Sequence, residues 1–294
     1  MTAATVAAFV TEAAGADHRQ VMRHVINAIA EARGLPAPWP VTLPGTLADR
    51  LTKRLEALGD LATWESTEVG TLREHLLSSN ERSTSGAWYT PSELARPVTE
   101  AALATLTGHL YLDDDPHHIL STSVLDPACG AGVFLIAADR FLAQQYAGML
   151  YGTHHPAPLT VQAVLPQVMQ ACVYGIDTDP IAVDLAKSAC WLACGGTTPI
   201  DWLDDNIVTG NALNGDLPPA LVGRINRGAL AVVGNPPYED KAKGAAPWLE
   251  ARRPSRRQPR TPDELYRPSL DEFRVPGQGR LEGSLSNLYV YFWR

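Results

Sequence analysis

Apolar residues recur every three or four positions over the first part of the chain, and then the rhythm changes. Val6, Phe9, Val10 and Ala13, followed by Val21, Val25, Ile26 and Ile29, give helical spacing across residues 3–32. The PAPWP stretch (Pro36–Pro40) ends it, and two more helical stretches follow near 45–58 and 67–79. The polar run SSNERSTSG (Ser78–Gly86) breaks the pattern, and TPSE then opens a helix expected over Ser92–Thr107. From about residue 120 short apolar runs alternate with helical segments. Strands are expected at Ser121–Asp126, Cys172–Asp177, Asn206–Asn211 and Ala229–Asn235, with helices over Gly132–Tyr146 and Pro180–Ala193. Apolar strands alternating with helices predict an open α/β sheet wound on both faces. Such sheets bind ligands beyond the carboxyl ends of their strands. Residues 239–283 revert to Pro, Gly, Arg and Asp without a period, and LSNLYVYFWR begins a helix that the last residue interrupts. The expected organisation is a helical N-terminal region (1–82) and a partial α/β domain (83–294) with a flexible insertion at 239–283, the chain being a fragment of a longer protein.

Composition narrows the class without choosing a function. The chain of 294 residues has 45% hydrophobic and 19% charged residues, the balance of a globular protein. No apolar run approaches the roughly 18 residues that span a bilayer. The N-terminus lacks a basic start and carries acids, unlike a signal peptide, so no membrane partner and a cytoplasmic location are expected. Cys129, Cys172, Cys190 and Cys194 form no CxxC pair and have no paired histidines, so they read as buried thiols and no metal is expected. The doublets His117–His118 and His154–His155 sit among Pro and Asp and read as solvated loop residues. A net charge of −8 argues against wholesale coating by nucleic acid. Against that trend, ARRPSRRQPR gathers Arg252, Arg253, Arg256, Arg257 and Arg260, just after Lys241 and Lys243. This basic, Pro-rich run reads either as a solvated insertion or as a phosphate contact.

Two segments carry candidate chemistry. DPACGAGVFL (Asp126–Leu135) leaves a strand and enters a helix, and Gly130 and Gly132 let its backbone turn tightly against a ligand. It has neither the third glycine of a dinucleotide fingerprint, where Leu135 stands, nor the lysine of a phosphate loop. Asp177 ends the next strand, where a carboxylate can accept hydrogen bonds from ribose hydroxyls. The competing role for Asp177 is a turn or helix cap, which Asp179 fits better. These features favour a nucleoside cofactor without phosphate contacts over a nicotinamide dinucleotide. S-adenosyl-L-methionine fits, because its sulfonium would lie close to Asp126. The second segment is GNPPYED (Gly234–Asp240). Pro236 and Pro237 stiffen a corner that carries Asn235 on one side and the ring of Tyr238 on the other. The Asn235 carboxamide and the backbone carbonyls can accept both N–H groups of a primary amine. Tyr238 offers a face for a planar base to stack on.

The order GAWYTP (Gly86–Pro91), DPACGAG, GID, GNAL and GNPPY resembles the adenine-N6 DNA methyltransferases. More narrowly, it is similar to their gamma-type arrangement in restriction–modification and phage-defence enzymes. The resemblance covers roughly residues 84–238, and NLYVYF (Asn287–Phe292) resembles the helix after the catalytic motif. It implies a Rossmann-like, S-adenosylmethionine-dependent sheet, incomplete at its C-terminus. It assigns Tyr89 and Thr90 to the methionine end of the cofactor, Asp126, Ala128 and Gly130 to the loop around it, and Asp177 to the ribose. Asn211, with Ala212 after it, stands where the family commonly has an acid near the adenine ring. Asn235, Pro236, Pro237 and Tyr238 form the catalytic corner for a flipped-out adenine.

The implied partner is DNA, with a recognition region or subunit outside this chain. Cys129 reads as a packing residue, since direct transfer needs no covalent nucleophile. Two other readings remain at this stage. One is a methyltransferase for another planar amide or amino group, on an RNA base or a protein glutamine. The other is a non-catalytic fragment that only binds cofactor.

Overall fold

A computed structural model describes residues 2–77, 90–107, 115–224 and 229–236. The helical spacing of residues 3–32 resolves into two helices. In α1 (Ala3–Ala13), Thr2 and Thr5 cap each other's backbone at the start. In α2 (His18–Ala32), the Asp17 carboxylate accepts the Arg19 and Gln20 N–H groups. The break falls where Gly15 takes a positive φ ahead of that cap. Helices α3 (Gly45–Glu56) and α4 (Ser66–Leu76) close a core of their own, in which Phe9, Val25, Ile29, Leu51, Leu55 and Leu72 are fully buried.

After α5 (Ser92–Thr107) the chain alternates through β1 (Ser123–Asp126), α6 (Val133–Leu150), α7 (Pro158–Cys172), β2 (Val173–Asp177), α8 (Pro180–Ala193), β3 (Ile207–Thr209) and β4 (Leu230–Val232). Helix α7 is not among the expected elements, and it holds two prolines. Pro158 occupies the first helical turn, where its missing N–H costs nothing, and Pro166 is carried inside the helix. The four strands are all parallel, in the order β3-β2-β1-β4. Val124 lies level with Val173 on one side and Ala231 on the other, and Asp177 is level with Thr209.

Alternation along the strands separates the two faces. Val124, Val173, Ile207 and Ala231 pack into one large core with α5, α6, α7 and α8. Leu125, Tyr174 and Ile176 point the other way, into a small cluster with Leu221. The expected winding on both faces is therefore uneven among the described residues. Connections β1–β2 and β2–β3 progress in one direction, so right-handed crossovers lay their helices on one face. The β3–β4 connection runs back across the sheet, and among its described residues are a 3-10 turn (Ala212–Asn214) and the four-residue helix Pro219–Val222.

The N-terminal helices are docked onto α8. Leu185 of α8 belongs to their core. The Asp184 carboxylate accepts from Arg19 at 2.6 and 2.8 Å and from Arg23 at 2.7 Å. Burial works against the ionised form, but the two guanidinium groups hold Asp184 below the usual carboxylate range. Arg23 also stacks 4.5 Å from the ring centroid of Trp39, whose indole N–H donates to Ser188 at 2.7 Å. No described helix is long and apolar enough to cross a membrane.

Candidate active site

Sheet order reverses between β1 and β4, so the crevice beyond their carboxyl ends is the place where the topology puts a ligand. The loop leaving β1 borders it. Gly130 and Gly132 take φ of +51° and +85°, in the left-handed region that side chains avoid. A Cβ on Gly132 would also lie 3.0 Å from the Ala186 backbone, so this glycine lets α6 start against α8. The loop is tied to β2 at two points. The Cys129 N–H donates to the Ile176 carbonyl at 2.8 Å, and the Gly130 N–H donates to Asp177 Oδ2 at 2.9 Å.

Asp177 holds two backbone groups, because its Oδ1 accepts the Asp179 N–H at 2.9 Å. Burial raises its carboxyl, while these two N–H groups oppose the shift by stabilising the ionised form. Each oxygen keeps lone-pair capacity for a further donor. Asp179 takes the capping role expected of it, since its Oδ1 accepts the Ile181 N–H at the start of α8 at 2.9 Å. Its other oxygen meets Arg73 of α4 at 3.2 Å.

Asp126 is only 1% exposed, and burial pushes its carboxyl up to about 8. Oδ1 accepts the Ala128 N–H at 3.1 Å, and Oδ2 is buried with no hydrogen-bond partner. A buried, half-satisfied carboxylate is costly, and a cationic group set against it would remove the cost. Beyond β4, Gly234 lies directly against this group: a Cβ there would stand 2.5 Å from Asp126 Oδ1. The next residue reaches the segment ahead of α5. Asn235 Nδ2 donates to Thr90 Oγ1 at 3.1 Å, joining the GNPPY and GAWYTP segments. That bond fixes which end of the carboxamide Thr90 takes, and it leaves Oδ1 as an acceptor. Pro236 behind it is buried.

Asn211 follows β3. Its Oδ1 accepts the Leu213 N–H at 3.0 Å, and its own N–H donates to Asp216 Oδ2 at 2.7 Å. Ala212 packs on the Leu125–Tyr174–Ile176 cluster. The carboxamide oxygen of Asn211 is thus used by its own turn, and the carboxylate at this strand end is the exposed Asp216. Neither Asp216 nor Arg73 stands out in the sequence, because each acquires its neighbour only through folding. Tyr89, Pro237 and Tyr238 lie outside the described residues, as do Trp88, the Arg-rich run and NLYVYF. The four cysteines are free, and burial pushes the Cys129 thiol well above its ordinary value, which suits packing rather than nucleophilic chemistry. No group of His, Cys, Asp and Glu among the described residues could hold a metal.

A parallel sheet with a glycine turn after its first strand, and acids ending its first two, defines an α/β domain with a candidate ligand crevice at its switch point. The pattern of the N-6 DNA methylases matches residues 66–258, well over half of the chain, and the chain belongs to that family. Its fold is the methyltransferase sheet, preceded by helices. The fold is also similar to the type IIL restriction–modification enzyme MmeI, solved in complex with DNA, with a TM-score of 0.51 at 18% identity. That match covers 94% of this chain but 39% of MmeI, so the chain spans well under half of that enzyme's length. No curated protein matches the chain by sequence.

Proposed function

We propose that this chain transfers a methyl group from S-adenosyl-L-methionine to the N6 amino group of a flipped-out adenine in DNA, within restriction–modification or phage defence. Family membership supplies the methylation of DNA. The observation that carries the finer reading is the meeting of two strand ends with the segment ahead of α5, with Gly234 against Asp126 and Asn235 bonded to Thr90. The cofactor is tested by the residues themselves. The orphaned Asp126 Oδ2 suits a positively charged group, the Asp177 oxygens suit ribose hydroxyls, and the absence of a lysine or third glycine suits a ligand without phosphates. When bound, the cofactor supplies an electrophilic methyl group on a sulfonium.

The remaining work belongs to the protein. Asn235 Oδ1 and the Pro236 carbonyl accept the two N–H groups of the target amine, which turns its lone pair toward the cofactor side of the crevice. Thr90 keeps the carboxamide from rotating, so the acceptor is in place before the base arrives. Tyr238 is assigned to stack on the base, and Tyr89 to border the methionine end. An adenine inside a duplex cannot reach this corner, which is why the base leaves the stack. No side chain has to form a covalent intermediate, in keeping with the buried Cys129.

The test is transfer of labelled methyl groups to duplex DNA, RNA and a release-factor-like protein, followed by mass spectrometry of the product. The expected product is N6-methyladenine in DNA. Label in protein or RNA alone overturns the substrate, and cofactor binding without transfer to any of the three makes the chain a binding fragment.

A further inference from the structure

We propose that Arg73, on the fourth N-terminal helix, is a positioning residue for the cofactor loop, so that the helical region is part of the active site rather than a neighbour of it. This rests on the cofactor reading above. The chain of contacts is short. Arg73 Nη2 meets Asp179 Oδ2 at 3.2 Å. The other carboxylate oxygen of Asp179 caps α8, and its backbone N–H donates to Asp177 Oδ1. Asp177 Oδ2 in turn holds the Gly130 N–H of the loop after β1. One guanidinium therefore stands at the end of a relay that fixes both the α8 start and the Gly130 turn.

Two further observations favour this role over an incidental ion pair. The Arg73 side chain is 12% exposed, whereas Asp179 is 40% exposed, so the cation is the anchored partner and the carboxylate is the one held in place. Arg73 Nε and Nη1 are buried without a hydrogen-bond partner. A buried guanidinium with two nitrogens unsatisfied is costly, and its contact with Asp179 is the charged interaction that offsets that cost. Charge points the same way. Asp179 lies two residues from Asp177, and its negative charge raises the Asp177 carboxyl, so its placement bears on the charge of the loop's acceptor.

Two measurements on the purified chain test this. In the ligand-free protein, hydrogen exchange at the Gly130, Asp179 and Ile181 amides is compared between wild type and Arg73→Ala, with Arg73→Lys as the conservative variant. Faster exchange at these amides in Arg73→Ala, with the α1–α3 amides unchanged and partial recovery in Arg73→Lys, is expected. Titration calorimetry with S-adenosylmethionine should then show about five- to tenfold weaker binding in Arg73→Ala, and little further loss on adding Asp179→Asn. Unchanged exchange at the three amides overturns the inference, and so does loss of protection throughout the N-terminal helices, which would make Arg73 a general structural residue. If wild type binds no S-adenosylmethionine while the amides still respond to Arg73→Ala, the cofactor reading fails and the positioning role stands.

Discussion

Asn235 and Thr90 work as one unit, and their variants separate chemistry from binding. Asn235→Ala removes the acceptor proposed for the target amine, so kcat should fall about 10²–10³-fold while cofactor affinity holds. Thr90→Val keeps the shape and loses the hydroxyl that orients the carboxamide. A fall in kcat of about tenfold with unchanged cofactor affinity is expected. Single-turnover transfer beside calorimetry checks both; a rise in cofactor Kd alone for Thr90→Val would move that residue to the methionine end, where the sequence resemblance puts it. Asp126 makes a prediction about pH. Its carboxyl titrates at 3.8 when free and at about 8 when folded, so folding favours the protonated form. Stability is therefore lost as pH rises through that interval and levels off above it. Asp126→Asn abolishes this dependence, so its melting temperature minus that of wild type should be larger at pH 8 than at pH 5. The same variant should lose cofactor binding, because a neutral amide offers no charge to a cation. Equal melting shifts at the two pH values would refute the buried titration.

Helices and strands were legible to different depths. The apolar runs at 121–126 and 172–177 foretold β1 and β2 to within two residues, because a buried parallel strand must be apolar on both sides. Helix α8 runs over the expected Pro180–Ala193, with proline at its first turn and a cap before it. The single helical pattern of residues 3–32 hid a break, since Asp17 and Gly15 interrupt the helix without interrupting the apolar spacing. Helix α7 was invisible because proline has opposite meanings at a first turn and in mid-helix. Within the site, the strand-end acids could be read from position alone, whereas the Thr90–Asn235 bond and the Arg73–Asp179 pair are products of tertiary packing. The docking of α2 on α8 gives an element-scale prediction. Asp184→Ala leaves Arg19 and Arg23 facing each other without their shared carboxylate, and should destabilise the chain by about 2–3 kcal/mol. Denaturant unfolding followed by tryptophan fluorescence measures it, and a loss below about 0.5 kcal/mol would reduce the contact to an ordinary surface ion pair.

For the molecule as a whole, charge and the proposed function pull in opposite directions. A net charge of −8 is poorly suited to gripping a polyanion, and the five arginines between Arg252 and Arg260 are the densest basic run in the sequence. Replacing all five should flatten the dependence of DNA binding on salt, by up to about 0.9 in log–log slope for each phosphate contact removed. An unchanged slope would make that run a solvated insertion.

The bond between Asn235 and Thr90 joins residues 145 positions apart, and that distance has a consequence for the ribosome. Synthesis delivers the helical region, then β1 and β2, while the last acceptor is still unmade. A nascent chain stalled near residue 200 would carry Asp126 and Asp177, the acids proposed for the cofactor, without Asn235 and Pro236, the acceptors proposed for the adenine. On the proposed function, competence therefore comes only with β4 and the residues after it, and a chain abandoned partway through translation would transfer no methyl group.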